Sequence, residues 1–574
     1  MEYDTYSCDV LILGSGGAGL RAALAALDSN CSVIIISKSL LGKAHTVMAE
    51  GGIAASVANV DTKDNWKVHF ADTIIEGDYI GNWQMAEILA KEAPDAVYEL
   101  ERMGALFDRT QDGKIMQRAF GGHTYKRLCH VGDKTGLEII RTLEDGILHR
   151  KAVIFDETLA TTLTKDDESG RITGAVGLHM RSGRFAAFIA KSVVIATGGL
   201  GRIYKVTSNS WESTGDGIAL AFKSGAELSD MEMVQFHPTG MVWPNAARGL
   251  LVTESVRGEG GLLYNSKGER FMLKYSPEKK ELDARDVVAR SIYYEIQKGN
   301  CTEHGGVYLD IMHKGPDFIK KKLPGMYTQF MEFANVDITK ERMEVAPTVH
   351  YFMGGIRTDP ESCMTNISGL FAAGEAASGL HGANRLGGNS LADILIFGRR
   401  AGTHAAEYAK QAEMPEIKSS TIISEIKRVK EFLADGRNEA GPYSLLDRLR
   451  DAMQQHLGII REEKSMKEGL EKVRSIRSEL KKVKTSGTTS FNHGLMECIA
   501  LENMALLAEC MFLSAIERKE SRGAHTRSDY PKKSIKWKLN ILCSNKSGSI
   551  KLSHSSLSLM PKELSEIIGE EHYN

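Results

Sequence analysis

The sequence predicts an α/β fold, in full an α+β multidomain chain: a Rossmann-like dinucleotide-binding domain, an inserted capping domain, a C-terminal helical domain and a short tail. Three observations predict it. A buried strand over residues 9–13 runs into Gly14-x-Gly16-x-x-Gly19 and then a helix-forming stretch over 20–27. Two later strands, 192–196 and 369–373, also end in small-residue turns, and the chain between them changes texture from about 236 to 348 to glycine-rich, charge-dense loops and short helices. From about 406 to 516, Glu, Lys, Arg, Leu and Ala recur at helical spacing. The expected division is therefore 1–235 and 349–405 for the nucleotide domain, 236–348 for the cap, 406–530 for the helical domain and 531–574 for the tail.

The first loop has the composition that a dinucleotide pyrophosphate requires. Gly14 makes the tight turn, Gly16 lets backbone N–H groups approach phosphate, and Gly19 lets helix and strand pack closely, with Ser15, Gly17 and Ala18 completing the cradle at the positive helix end. The second strand, over residues 31–37, ends in Ser37-Lys38 where a simple NAD site would carry an acid for the ribose. That departure disfavours NAD and leaves a flavin dinucleotide open. Downstream lies Lys43-Ala44-His45-Thr46-Val47-Met48-Ala49-Glu50-Gly51-Gly52, with a histidine that a bare cofactor loop does not need.

Residues 66–106 read as mostly helical, with a regular stretch over 82–103 stopped by Gly104. Phe120-Gly121-Gly122-His123 follows, and Asp133-Lys134-Thr135-Gly136 opens another helix; by itself Phe120 reads equally as a packed aromatic beside a glycine turn. Residues 152–196 alternate as strands and end in Thr197-Gly198-Gly199, and Ser213-Thr214-Gly215-Asp216-Gly217 opens a helix whose polar groups suit both a cap and a ligand. Inside the inserted segment lie Phe236-His237-Pro238 at its start, Thr253-Glu254-Ser255-Val256-Arg257, and Arg285 with Asp286, and His350-Tyr351-Phe352 stands at its far end. The nucleotide domain resumes with Gly374-Glu375, a carboxylate suited to a ribose diol, and with the glycine-rich run from His381 through Arg385 to Ser390-Leu391. Charged faces between 406 and 516 read as solvated rather than as a nucleic-acid surface. In the tail, Ile535, Trp537, Leu539 and Ile541 alternate into an Asn545-to-Gly548 turn with a return over 549–556, a hairpin pattern followed by a short helix over 561–570.

At 574 residues the chain is too long for one core, and length alone suggests roughly three to five domains. A formal charge of -2, with 42% hydrophobic and 25% charged residues, gives no reason to propose nucleic acid as a partner. The eight cysteines (8, 31, 129, 301, 363, 498, 510 and 543) contain no C-x-x-C pair, so neither an iron–sulfur cluster nor a zinc site is expected, and a reducing compartment is. The first strand begins almost at Met1, leaving no room for a leader, and no segment reaches the ~18 uncharged apolar residues that a span needs.

The His45-to-Gly52 stretch resembles the flavin-attachment motif of the flavoprotein subunits of succinate dehydrogenase and fumarate reductase, and the resemblance extends over residues 5–530. It implies FAD bound covalently through His45, with Gly14 to Gly19, Ser37, Lys38, Thr46, Glu50, Gly51, Gly52, Thr197, Gly198, Asp216, Glu375, Ser390 and Leu391 lining its site. It implies a dicarboxylate substrate, succinate or fumarate, held by His237, Thr253, His350 and Arg385 near Phe120 and Gly122, and Arg285 as acid/base with Glu254 and Arg257 relaying protons. Read alone, Arg285 would be a helix-terminal salt bridge. With no cysteine cluster here, the resemblance implies that the electron partner is an iron–sulfur subunit, quinone-linked or thiol-linked. Membrane anchor subunits would then hold the chain indirectly on the inner face of the cell membrane, on the cytoplasmic side.

Two alternatives stand beside this one. L-aspartate oxidase, a sister family, usually lacks a histidine at the position of His45, although Ala-Ala-Ser-Gly-Leu between Glu375 and His381 lies closer to it. A catalytically retired binding subunit would not need Arg285 and Arg385. Glu50 leans towards fumarate reduction, since a carboxylate near the flavin would disfavour an anionic reduced ring.

Overall fold

In the computed structural model, residues 2–150, 152–433 and 441–569 are described. Met1, parts of the expected helical domain at 434–440, and Glu570 at the end of the expected last helix lie outside them. The continuous apolar run at the end of Asp4–Leu13 is buried on both faces, which requires parallel neighbours. They are Val33–Ile36 on one side, with Leu13 opposite Ile36, and Phe185–Ile195 on the other, with Leu13 opposite Ile195. Val153–Phe155 extends one edge, while Leu370–Ala372 pairs in parallel with the end of Phe185–Ile195. The first half of that long strand instead carries the antiparallel pair Ile172–His179 and Thr158–Lys165. The turns after Leu13, Ile195 and Ala372 thus emerge side by side at the carboxyl ends of parallel strands, where ligands of open α/β sheets sit. Helices Gly17–Asp28 and Asn389–Gln411 pack against this sheet and each other.

The inserted segment contains a sheet that its glycine-rich texture concealed: Val234–Met241, Met343–Phe352, Val307–Asp310 and Leu262–Tyr264, antiparallel in that order. It encloses a core of its own, from Met241 to Val345. Register shifts between Gln235 and Phe236 and between His237 and Gly240 re-aim side chains on its first strand, as bulges beside sites do. Helix Arg285–Gln297 lies across that strand. The expected boundaries at 235/236 and 348/349 fall inside strands, and that at 405/406 falls inside Asn389–Gln411, because element ends carry no composition change there.

The two connections of the insert meet in one four-stranded sheet. Gly355–Ile356 on the way out pairs with Leu228–Ser229 on the way in, which pairs with Leu539–Lys546 of the tail, itself paired with Ser549–Ser556. The expected hairpin is present, but its first arm starts at Leu539, Ile535–Trp537 being a 3-10 turn. The last helix spans Lys562–Ile568.

Helices Ser419–Lys430, Pro442–His456, Glu463–Leu480 and His493–Glu517 form the helical part. Despite its acids, His493–Glu517 is long and apolar enough to cross a membrane by length and composition, yet 78% of its most apolar window is buried, as in a core helix. Glu520 to His525 faces inward: Arg522 donates from Nε to Glu520 at 2.6 Å and from Nη1 to the Asp78 carbonyl at 2.8 Å, and Arg461 contacts His525 at 2.7 Å. Arg522 is paired with a carboxylate, as burial demands, whereas Arg461 meets His525 and main-chain carbonyls and leaves Nη2 without a hydrogen-bond partner.

Candidate active site

The convergent turns open a cleft lined by Gly14 to Ala18, Ser37, Lys38, His45, Thr46, Thr197, Gly198, Asp216, Glu375, Ser390 and Leu391. The glycines are required by packing: a Cβ on Gly14, at φ +109, would lie 2.3 Å from the Ala196 carbonyl oxygen, and one on Gly19 would lie 1.9 Å from that of Gly14. Helices Gly17–Asp28 and Asn389–Gln411 both start without a side-chain cap, so first-turn N–H groups are left for an anion. Thr197 Oγ1 and Glu212 Oε2 line the cleft, buried and without hydrogen-bond partners. Glycine cradle, uncapped helix starts and orphaned polar atoms together fit a dinucleotide.

Several predicted ligands already hold one another. Ser15 and Ser37 hydroxyls lie 2.6 Å apart, and Thr46 Oγ1 accepts from Gly17 N–H at 3.2 Å. Lys38 donates to Thr214 and Asp216 at 2.7 and 2.8 Å, while Asn503 donates to the other Asp216 oxygen at 2.9 Å. The helix cap expected of Ser213 to Asp216 is not made, the helix starting from Gly215 without a side-chain cap while Thr214 and Asp216 turn to Lys38. Glu375 accepts from Phe352 N–H at 3.0 Å, and burial pushes its carboxyl up to about 7. Thr158, Leu159 and Ala160, which the sequence did not single out, line the same cleft at a strand start that carries no motif.

His45 starts a 3-10 turn, Ser210 N–H donates to its Nδ1 at 3.3 Å, and Asn209 Nδ2 lies 3.2 Å from its Nε2. Asn209 cannot be reversed, since the same Nδ2 donates to the His350 carbonyl at 3.0 Å. Both ring nitrogens therefore face donors, leaving a ring N–H without an acceptor. Burial alone holds the imidazole down at about 4, neutral at physiological pH. Burial first and then Asp133 push the Glu50 carboxyl well above its usual range. Gly51 abuts Phe120, whose ring would lie 2.7 Å from a Cβ there, and Gly52 adopts φ +126.

The second half of the site gathers the predicted substrate residues from both bodies. Arg285 opens helix Arg285–Gln297; its Nε donates to Glu254 at 2.7 Å, its Nη1 to Gln235 at 3.3 Å, and its Nη2 would lie 3.3 Å from a Cβ on Gly387. Glu254 also accepts from Gly121 N–H at 2.9 Å and pairs with Arg257 at 3.8 Å. Burial would raise the Glu254 carboxyl, but Arg285, Arg257 and His237 outweigh it and hold it at about 2. Arg257 is fully buried, with Nη1 on the Glu281 carbonyl at 2.6 Å and Nε and Nη2 without hydrogen-bond partners.

His237 and His350 meet edge-on at 5.3 Å between ring centres, and burial first, then neighbouring cations, keeps both neutral. Ser208 contacts His350 Nδ1 at 3.0 Å. Arg385 stacks on Tyr351 at 4.4 Å and donates to Ser390 at 3.1 Å, its Nε buried and unpartnered. Thr253 is buried beside Ser255, and Gly122 sits against Glu76 and Leu386. Gln235, Asn384 and Glu76 belong to this cluster although no motif marked them. Uncompensated guanidinium groups around neutral imidazoles suit a dianion. Among the described residues no group of His, Cys, Asp and Glu could hold a metal, and all eight cysteines are free.

Residues 9–391 match the FAD binding domain family and residues 446–566 the fumarate reductase flavoprotein C-terminal family. The chain is 47% identical over 547 residues to a fumarate reductase (CoM/CoB) subunit of Methanothermobacter marburgensis, covering 95% of this chain and 98% of that one. It is 41% identical over 549 residues to the succinate dehydrogenase flavoprotein subunit of Coxiella burnetii, covering 91% and 92%. Mycobacterium smegmatis Sdh1 in complex with UQ1 superposes with a TM-score of 0.90 at 46% identity, covering 99% and 98% of the two chains. A quinol-fumarate reductase structure with menaquinol molecules gives 0.92 at 36% identity, covering 98% and 99%.

Proposed function

Because the chain belongs to the flavoprotein subunits of succinate dehydrogenase and fumarate reductase, FAD-dependent oxidoreductases acting on CH–CH bonds, we propose that it interconverts succinate and fumarate with Arg285 as the acid/base. FAD, when bound, supplies the hydride acceptor or donor. Arg385 grips one carboxylate through its planar fork, and His350, held at Nδ1 by the Ser208 hydroxyl 3.0 Å away, presents its Nε2 side beside it with His237 and Thr253. Arg285 is held by acceptors at Nε and Nη1, which leaves Nη2 on the Gly387 and Phe120 side as the group that exchanges a proton with substrate carbon. Glu254 and the partly unsatisfied Arg257 lead protons away.

The observation that carries this reading is the buried Arg285–Glu254–Arg257 series, in which Arg285 Nε donates to Glu254 at 2.7 Å and the Arg257 guanidinium pairs with the same carboxylate at 3.8 Å. Arg285→Lys tests it: dicarboxylate inhibitor affinity and flavin content should survive while turnover per bound flavin collapses by roughly 10² or more, the usual worth of a positioned acid/base. Near-wild-type turnover would overturn the assignment.

FAD is held covalently through His45 in this proposal, since a carbon substituent in place of the ring N–H removes the mismatch with Asn209 and Ser210. Residues 1–235 and 349–405 act as the FAD domain, 236–348 as the cap, 406–530 as the helical domain and 531–574 as the tail, a division supported by the separate core from Met241 to Val345. Electrons pass to an iron–sulfur subunit, which with anchor subunits keeps the chain at the inner membrane face. A second reading of the electron partner, thiol-linked rather than quinone-linked, is favoured by the 47% identity to the CoM/CoB enzyme subunit.

A further inference from the structure

Two buried side-chain amides link Arg285 to the nucleotide domain, and their orientation is fixed. Gln235 Oε1 accepts from Arg285, and its Nε2 donates to Asn384 Oδ1 at 2.9 Å and to the Arg385 carbonyl at 2.8 Å. Asn384 Nδ2 donates in turn to Glu76 Oε1 at 2.8 Å and to Asp286 Oδ1 at 3.1 Å. Each NH2 has two hydrogens and both are used. Reversing Asn384 would set its oxygen against two carboxyl groups and its NH2 against that of Gln235; Gln235 would then reverse and turn an NH2 on the guanidinium. The polarity of the series is therefore set at its acid end.

Glu76 makes the shorter of the two acid contacts and comes from the end of helix Trp66–Glu76, whereas Asp286 follows Arg285 on its own helix. Burial and then Asp286 push the Glu76 carboxyl well above its usual range, and the contact it makes to Asn384 is through Oε1 as acceptor.

We propose that Glu76 is a positioning residue for Arg285: it orients Asn384, Asn384 orients Gln235, and Gln235 holds the guanidinium against Glu254 at a set distance from the Arg385 main chain. This rests on Arg285 as acid/base. Only the acceptor oxygen of Glu76 is used, so Glu76→Gln keeps the function and Glu76→Ala removes it. A misplacement of about 1 Å at a reacting group costs up to about 10²-fold. Glu76→Ala should therefore lower turnover per bound flavin about 10- to 100-fold, with dicarboxylate affinity and flavin content within about threefold, while Glu76→Gln restores turnover to within about threefold.

A Glu76→Gln variant as slow as Glu76→Ala would overturn the proposal, since a proton would then be what Glu76 supplies. So would wild-type turnover in Glu76→Ala. If Glu76→Ala fails to fold, Gln235→Met cuts the same series beside Arg285 and must show the same loss at retained affinity; normal turnover there also overturns it. Arg285→Lys separates the two layers. Normal turnover in that variant sinks the acid/base reading, whereas collapse there beside normal Glu76→Ala and Gln235→Met sinks this one alone.

Discussion

Arg385 is buried with an aromatic ring on one face and one serine on its fork, an arrangement that leaves most of its donors for a ligand. Arg385→Lys keeps the charge but replaces two parallel N–H bonds by a point ammonium, so dicarboxylate binding should weaken by about 1.5–3 kcal/mol, the worth of a charge-assisted hydrogen bond. Unchanged affinity for malonate would remove Arg385 from the clamp. The same site has a pH signature. Burial and then the Arg285 charge lower the Arg385 guanidinium to about 9, so the cation is complete below that pH and is lost as pH rises through it. Malonate affinity of the free enzyme should accordingly fall above pH 9, and an affinity flat to pH 11 would contradict the shift. Glu254 runs the other way. Held at about 2 against an ordinary 4.5, it contributes stability above pH 4.5 that is lost as pH falls towards 2.

At the scale of elements, the loop carrying His45 is pressed from below by helix Thr135–His149. Gly136 N–H donates to the Ala49 carbonyl at 2.7 Å, and a Cβ on Gly136 would stand 1.9 Å from the Thr46 carbonyl oxygen. Wild-type protein, denatured, should keep a fluorescent flavin and a mass increase on the peptide containing His45. Gly136→Ala should fold but release its flavin on denaturing, and retention there would mean that the loop tolerates displacement. Gly136 was visible in the sequence only as part of a helix start, because what it touches lies more than eighty residues earlier. The phosphate loop was legible because local composition dictates it, and the His45 stretch stood out through its resemblance to a family motif. Glu76, Asn384 and Gln235 were not: the Glu76 to Asn384 bond joins residues 308 apart, and three ordinary polar residues carry no spacing. The sheet of the insert escaped notice for a related reason, two of its strands being short and the pair of longer ones irregular in register.

For the whole molecule, the absence of any cysteine cluster sets the expected electron behaviour: the purified chain should exchange electrons with artificial acceptors but not with quinone. A lone chain that reduced quinone at the rate of an intact complex would sink the need for an iron–sulfur partner. The sheet that joins Gly355–Ile356, Leu228–Ser229 and the hairpin Leu539–Lys546 with Ser549–Ser556 also has a consequence in time. A ribosome delivers the insert and both of its connections long before residue 539, and domains begin to fold as they emerge. During that interval Leu228–Ser229 and Gly355–Ile356 can pair with each other, but the other edge of Leu228–Ser229 has no neighbouring strand. When the hairpin arrives it zips onto Leu228–Ser229 and stiffens both connections at once. Synthesis order thus leaves one edge of the joint between insert and nucleotide domain to be covered last, when the final strands are made.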